Sequence, residues 1–291
     1  MKDPDKADHV LAPARSHRIL FWTGAFFAGW VALFSYLEGL LGNNSGLPFK
    51  APPLHVRTIA SLYTGGAVMM LLAARARTMA AIRIPMVVAG LFTGLLLVVS
   101  FLHLHVFDFA PPPPKPPLLG ISWLPLPFQV SWFWFALYGI CPFIVLHLLR
   151  RYWVVSAPVN ENPLPWPMRI LVATTAFVGG SFALFMLCQP TTAVQVWPWG
   201  ATPFLLQIYA GPFLAFALAS WMMAMTRDRV NATIPAAGLM TFALLALAAS
   251  LSYLHVLQPL HVAAWIWLIF LIVLVMLSAA TLFQAQKSNK G

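Results

Sequence analysis

The chain has 291 residues, of which 60% are hydrophobic and only 8% charged, with a formal net charge of +10. A water-facing globular surface carries about 25% charged residues, so a soluble globular domain is excluded; lipid, which cannot solvate charge, is the surface that suits so few. The positive balance does not indicate nucleic-acid binding, because the basic residues sit in short clusters between apolar stretches, as cytoplasmic loops of membrane proteins do.

A helix needs roughly 20 mostly apolar residues to cross the hydrocarbon. Taken in chain order, eight segments qualify: roughly 19–41, 54–74, 85–106, 128–149, 168–189, 203–226, 234–256 and 261–284. The first is longer than the roughly 7–15-residue core of a cleavable signal. It therefore reads as a retained membrane helix behind a polar tail, residues 1–18. The apolar runs are continuous and lack the alternation of a barrel, and lipid leaves no partner for an open strand edge. The expected fold class is an all-α integral membrane protein with about eight transmembrane helices.

Of the 17 Lys and Arg, three (Lys50, Arg57 and Lys115) fall on one side of these spans, which leaves fourteen on the other. Lys and Arg concentrate in cytoplasmic loops, so both termini are expected in the cytoplasm and the protein in the cell (inner) membrane. The outer segments, about 42–53, 107–127, 190–202 and 257–260, are rich in Pro and Trp. The run Pro111-Pro112-Pro113-Pro114-Lys115-Pro116-Pro117 reads as a stiff polyproline spacer. Trp132, Trp134, Trp197, Trp199, Trp265 and Trp267 fall where an interfacial aromatic belt belongs. Asn43-Asn44-Ser45 matches a glycosylation acceptor and reads as a chance match. Cys141 and Cys188 lie in apolar segments without metal spacing and read as plain buried thiols.

A shift of 150 residues lays one half of the chain on the other. Pro48, Ala51 and Pro53 meet Pro198, Ala201 and Pro203. Arg77 meets Arg227, and Ile84-Pro85 meets Ile234-Pro235. Ser100 meets Ser250, and Leu104-His105-Val106 meets Leu254-His255-Val256. With one residue more, Ala32-Leu33-Phe34 meets Ala183-Leu184-Phe185. After a deletion in the long outer loop, Trp132-Phe133-Trp134 meets Trp265-Ile266-Trp267. The expected architecture is thus two parallel four-helix repeats, 19–151 and 168–284. A cytoplasmic linker, 152–167, joins them, and a short tail, 285–291, follows. Copies with an even number of crossings share one orientation and are related by an axis along the membrane normal.

Few residues in the spans can carry chemistry. Glu38, His55, Arg57, His103, His105, Asp108, His255 and His261 all fall at the outer ends of their segments. Ionisable groups in a membrane are costly and often functional. Under the shift, His105 and His255 are equivalent, Glu38 falls near Gln189, and Arg57 falls opposite Gln207. One copy keeps charges where the other has amides, which suggests a single asymmetric site. The expected ligand-binding residues are therefore Glu38, Arg57, His105, His255, Gln189 and Gln207. Neutral imidazole is also a common metal ligand, so His105 and His255 could hold a haem or a metal between the copies. A helix cap or carbonyl bond is the structural alternative for each histidine. On a continuous helix, His103 would point away from His105. A Glu38–Arg57 pair would tie the first two helices together.

No phosphate-binding glycine loop, HExxH, CxxC or nucleophile elbow occurs. Binding or permeation is therefore favoured over catalysis. The inner half of every span is almost uncharged, which suits a small neutral or hydrophobic ligand at an outer-leaflet site between the repeats. Two alternatives stand beside it. One is a membrane redox protein using His105 and His255. The other is an accessory subunit, or homo-oligomer, packed through small residues at Gly65-Gly66, Gly90, Gly94 and Gly179-Gly180.

Overall fold

A computed structural model describes residues 12–41, 47–109, 130–152, 162–257 and 262–288. The proline run at 111–117, Asn43-Asn44-Ser45, His261 and the side chain of Glu38 lie outside the described residues.

Nine α-helices follow in order among the described residues: α1 Arg15–Leu41, α2 Pro53–Arg75, α3 Met79–Leu102, α4 Val130–Tyr152, α5 Trp166–Cys188, the short α6 Pro190–Val196, α7 Pro203–Met225, α8 Thr233–Ser252 and α9 Val262–Ser288. Tight 3-10 turns at Leu104–Val106 and Arg229–Ala232 follow α3 and precede α8. No strand occurs among the described residues, only an isolated bridge between Asn162 and Asp228. Eight of the helices, all but α6, are long and apolar enough to cross a membrane.

Local chemistry accounts for the helix starts. Pro53 and Pro203 open α2 and α7, where a missing N–H removes nothing a helix would use. Thr78 and Thr202 cap α3 and α7 by accepting hydrogen bonds from the Ala81 and Leu205 amides, which satisfies an amide that has no intrahelical acceptor. Inside the spans, hydroxyls turn back on their own helix. Thr58 donates to the Leu54 carbonyl, Ser61 to that of Arg57 and Ser220 to that of Phe216. Such bonds pair these three hydroxyls in an apolar surround, whereas the buried Ser35 hydroxyl on α1 has no hydrogen-bond partner among the described residues.

The helices form an inner set and an outer set. Within their apolar windows α2, α7 and α8 bury 61%, 61% and 56% of residues, and α3 buries 39%. For α1, α4 and α5 the figure is 22%, and for α9 28%. Each of the inner four packs hardest across the chain's midpoint or on its own outer helix: α2 on α8 and α1, α7 on α3 and α5. Backbones come closest where α2 crosses α8. A methyl group on Gly65 would lie 2.7 Å from the Gly238 carbonyl oxygen, and one on Gly238 would lie 2.9 Å from that of Gly65. Only a residue without a side chain permits this approach. Gly90 does the same between α3 and α4, where a methyl would meet Val145 at 2.8 Å.

Two indoles fix the last helix of each half. Trp134 on α4 donates to the Ser100 hydroxyl on α3 at 2.8 Å, and Trp267 on α9 donates to that of Ser250 on α8 at 2.9 Å. These indoles are buried, as are Trp197 and Trp199. They belong to the core rather than to the interfacial belt expected for all six tryptophans. Trp132 and Trp265 keep the expected exposure, at 60% and 59%. The division follows from helical geometry, in which residues two apart point to nearly opposite faces. Cys141 and Cys188 are both free, and Cys188 is exposed rather than buried.

Helices α3 and α8 end earlier than the apolar runs that predicted them, at Leu102 and Ser252. The runs continue through Leu104 and Val106, and through Leu254 and Val256, but the backbone there tightens into turns. His103, His105 and His255 therefore lie beyond the helices, in those turns.

Candidate functional site

Polar side chains gather at the arginine-poor end of the bundle, where α2 and α7 begin and α3 and α8 stop. His55 is fully buried one turn into α2. Its Nε2–H donates to the Gly200 carbonyl at 2.7 Å. That fixes the tautomer and leaves Nδ1 to accept from the Tyr209 hydroxyl at 2.8 Å. Tyr209 stacks on the imidazole and Trp199 meets its edge. Both ring nitrogens are thus committed to the other half of the chain. This histidine joins α2 to α7, and neither nitrogen is left to ligate.

Gln207 makes the second junction. Its side-chain N–H donates to the Leu187 carbonyl at the end of α5 at 2.8 Å, so its oxygen faces His103 Nε2 at 2.5 Å and accepts that proton. The amide thus ties α7 to α5 and to the turn after α3. The rings of His103 and His105 lie 5.9 Å apart. The helical-wheel expectation that they face apart fails because α3 ends at Leu102 and the 3-10 turn re-aims both. His105 and His255 are both exposed. Each packs against the ring two residues earlier in its own turn, His103 and Tyr253 respectively. Arg57 lies over the Tyr36 ring, 5.8 Å from its centre, and Tyr36 in turn bonds Ser61. Gln189 is exposed between α5 and α6. Among the described residues, no group of three or more His, Cys, Asp or Glu comes together to hold a metal ion.

A cavity of about 480 Å³ lies elsewhere, inside the second half of the chain. Its walls come from α5, α7, α8 and α9, with Trp197 beside one end. None of Arg57, His105, His255, Gln189 or Gln207 lines it. The wall carries no charged side chain, and the lining hydroxyls of Thr175 and Ser220 donate to the carbonyls one turn back. The inner face is aromatic: Phe182, Trp197, Phe213 and Trp267. The rim residues Val178, Val262 and Ile266 are 56%, 69% and 62% exposed, so the cavity opens sideways between α5 and α9. It exists because α5 and α9 meet only sparsely and because Gly179, Ala217 and Ala263 supply almost no side chain at its wall. In sequence these residues read only as lipid-facing or packing positions. The spacing between two helices remote in the chain leaves no local pattern.

The glycines expected to face a partner are largely used within the fold. Gly65 and Gly90 sit at close crossings, Gly180 lies against Ala217, and Gly94 faces Pro142. A methyl group on Gly66 would meet nothing within 4 Å.

Eight apolar helices, in a bundle with an uncharged interior cavity, identify this chain as a multi-pass membrane protein. No known protein family, no curated protein and no solved structure gives a match to it.

Proposed function

We propose that this protein binds a small neutral, largely apolar ligand that enters sideways from the bilayer into the cavity between α5 and α9. The observation that carries this reading is the character of the wall. A cavity of about 480 Å³ falls in the size range of small-molecule sites, roughly 300–1,000 Å³. With no charge and no hydroxyl left to donate inward, it would strand any ionised group placed there. Burial of apolar surface against the aromatic face is the main hold on a ligand, beside the Trp197 indole N–H, which has no partner among the described residues.

The scaffold is read as two parallel four-helix copies, with the N-terminus in the cytoplasm of an inner-membrane protein. Support comes from matching detail. α2 and α7 each run 23 residues from an opening proline, and the Trp134–Ser100 and Trp267–Ser250 bonds occupy equivalent positions. The two copies differ at the positions that form the cavity's rim. Val178 and Ile266 at the rim correspond to Phe27 and Phe133, whose rings meet at 5.0 Å between α1 and α4. An aromatic pair stands in the first copy where two aliphatic side chains stand in the second. On this reading the asymmetry lies inside one copy, at residues other than Glu38, Arg57, Gln189 and Gln207.

The double substitution Val178→Phe with Ile266→Phe copies the aromatic pair of the first half. Organic extraction of the purified protein, followed by mass spectrometry, should recover an apolar compound from the native chain in near-stoichiometric amount and not from the double variant. Equal recovery from both would refute the reading.

A further inference from the structure

At the opposite, arginine-rich end, α5 and α7 leave an open groove of about 380 Å³ on their outer face. Arg169, on the first turn of α5, stands at its head. Its Nε–H donates to the Ala224 carbonyl at 2.8 Å, one of the carbonyls a helix leaves unpaired in its last turn. That bond holds the guanidinium in place and, among the described residues, engages one of its nitrogens. No carboxylate among the described residues pairs with it. Below the guanidinium the groove is apolar, lined by Ile170, Ala173 and Phe177. It is flanked by the indoles of Trp166 and Trp221, which are 69% and 46% exposed.

This arrangement has two chemical parts in a fixed order. A fixed cation with free donors suits a phosphate oxygen. An apolar channel running from it toward the middle of the span suits an acyl chain, and exposed indoles belong at headgroup depth. Arg227 and Arg229 at the same end add positive potential, which favours a lipid of net negative charge over a zwitterionic one.

We propose that this groove is a specific site for one anionic phospholipid, its phosphate on Arg169 and one acyl chain along Ala173 and Phe177. The site is separate from the apolar cavity on the other face of α5 and does not depend on it.

The test is native mass spectrometry of the full chain in mild detergent with equimolar phosphatidylglycerol and phosphatidylcholine. One phosphatidylglycerol should remain bound in preference, and excess inorganic phosphate should not displace it. Arg169→Met should lower that preference about tenfold, as the loss of one charge-assisted contact implies. Ile170→Asp leaves the Ala224 bond in place and blocks the channel, so it should abolish retention in a folded protein. Equal retention of both lipids, displacement by free phosphate, or unchanged retention in Ile170→Asp would each overturn the proposal.

Discussion

The Tyr209 hydroxyl donates to Nδ1 of His55 across 154 residues of sequence, at 2.8 Å and out of reach of solvent. With Nε2–H on the Gly200 carbonyl, the imidazole is fully satisfied. It welds the start of α2 to α7, so removing the hydroxyl must leave a buried acceptor without a donor. Such a loss costs about 1–3 kcal/mol. Tyr209→Phe should lower the thermal stability of the detergent-solubilised protein by that amount. Leu205→Val, a neighbouring volume change on α7 without a hydrogen bond, should cost no more than about 0.5–1.5 kcal/mol. Equal stability of Tyr209→Phe and the native chain would show that the bond is dispensable.

The α2–α8 crossing makes a sharper prediction, because Gly65 and Gly66 are neighbours with opposite surroundings. A Cβ at Gly65 would collide with the Gly238 carbonyl at 2.7 Å, and one at Gly66 would meet nothing within 4 Å. Gly65→Val should therefore destabilise by about 1–3 kcal/mol or more through overpacking. Gly66→Ala should stay within about 0.5–1 kcal/mol of the native chain, on the stabilising side, because alanine is the better helix former. Fluorescence-detected gel filtration after heating separates these outcomes. Similar loss in both would place the crossing elsewhere.

The Trp134–Ser100 and Trp267–Ser250 bonds allow the two-copy architecture to be weighed energetically. Ser100→Ala and Ser250→Ala should each cost about 1–3 kcal/mol, since each strands a buried indole N–H. Remote independent sites add within about 0.3–0.5 kcal/mol, so the double variant should show the sum. One serine costing nothing would mean that the equivalence is sequence likeness without shared function in the fold.

Much of this fold was legible in the sequence, because lipid imposes simple demands. Continuous apolar runs gave the eight spans, and the starts expected near 54 and 203 fall within a residue of Pro53 and Pro203, where α2 and α7 begin. The ends of α3 and α8 were not legible: Leu104 and Val106 are as apolar as the residues before them, while the change there is in backbone dihedral. The seven-residue α6 is too short to have stood out in an outer loop. Trp134 and Trp267 were misplaced because tryptophan suits both an interface and a core. His55, Arg57, His103 and Gln207 come together at one end of the bundle, and the partner that explains His55 is Tyr209, an unremarkable residue in an apolar run. The cavity was invisible for a further reason. It is made by what Gly179, Ala217, Val178 and Ile266 fail to fill, and a gap between helices remote in the chain leaves no local pattern.

The central claim is that the space between α5 and α9 takes an apolar ligand from the bilayer. The most direct measurement is photolabelling of the membrane-embedded protein with a diazirine-bearing long-chain alcohol, followed by peptide mapping. Labelling should concentrate on the cavity wall at Phe182, Phe213 and Phe270 and saturate with excess unlabelled alcohol. It should vanish from those residues in the Val178→Phe, Ile266→Phe double variant. Labelling spread evenly over the exposed faces of α1, α4, α5 and α9, unsaturable and unchanged in that variant, would contradict the account.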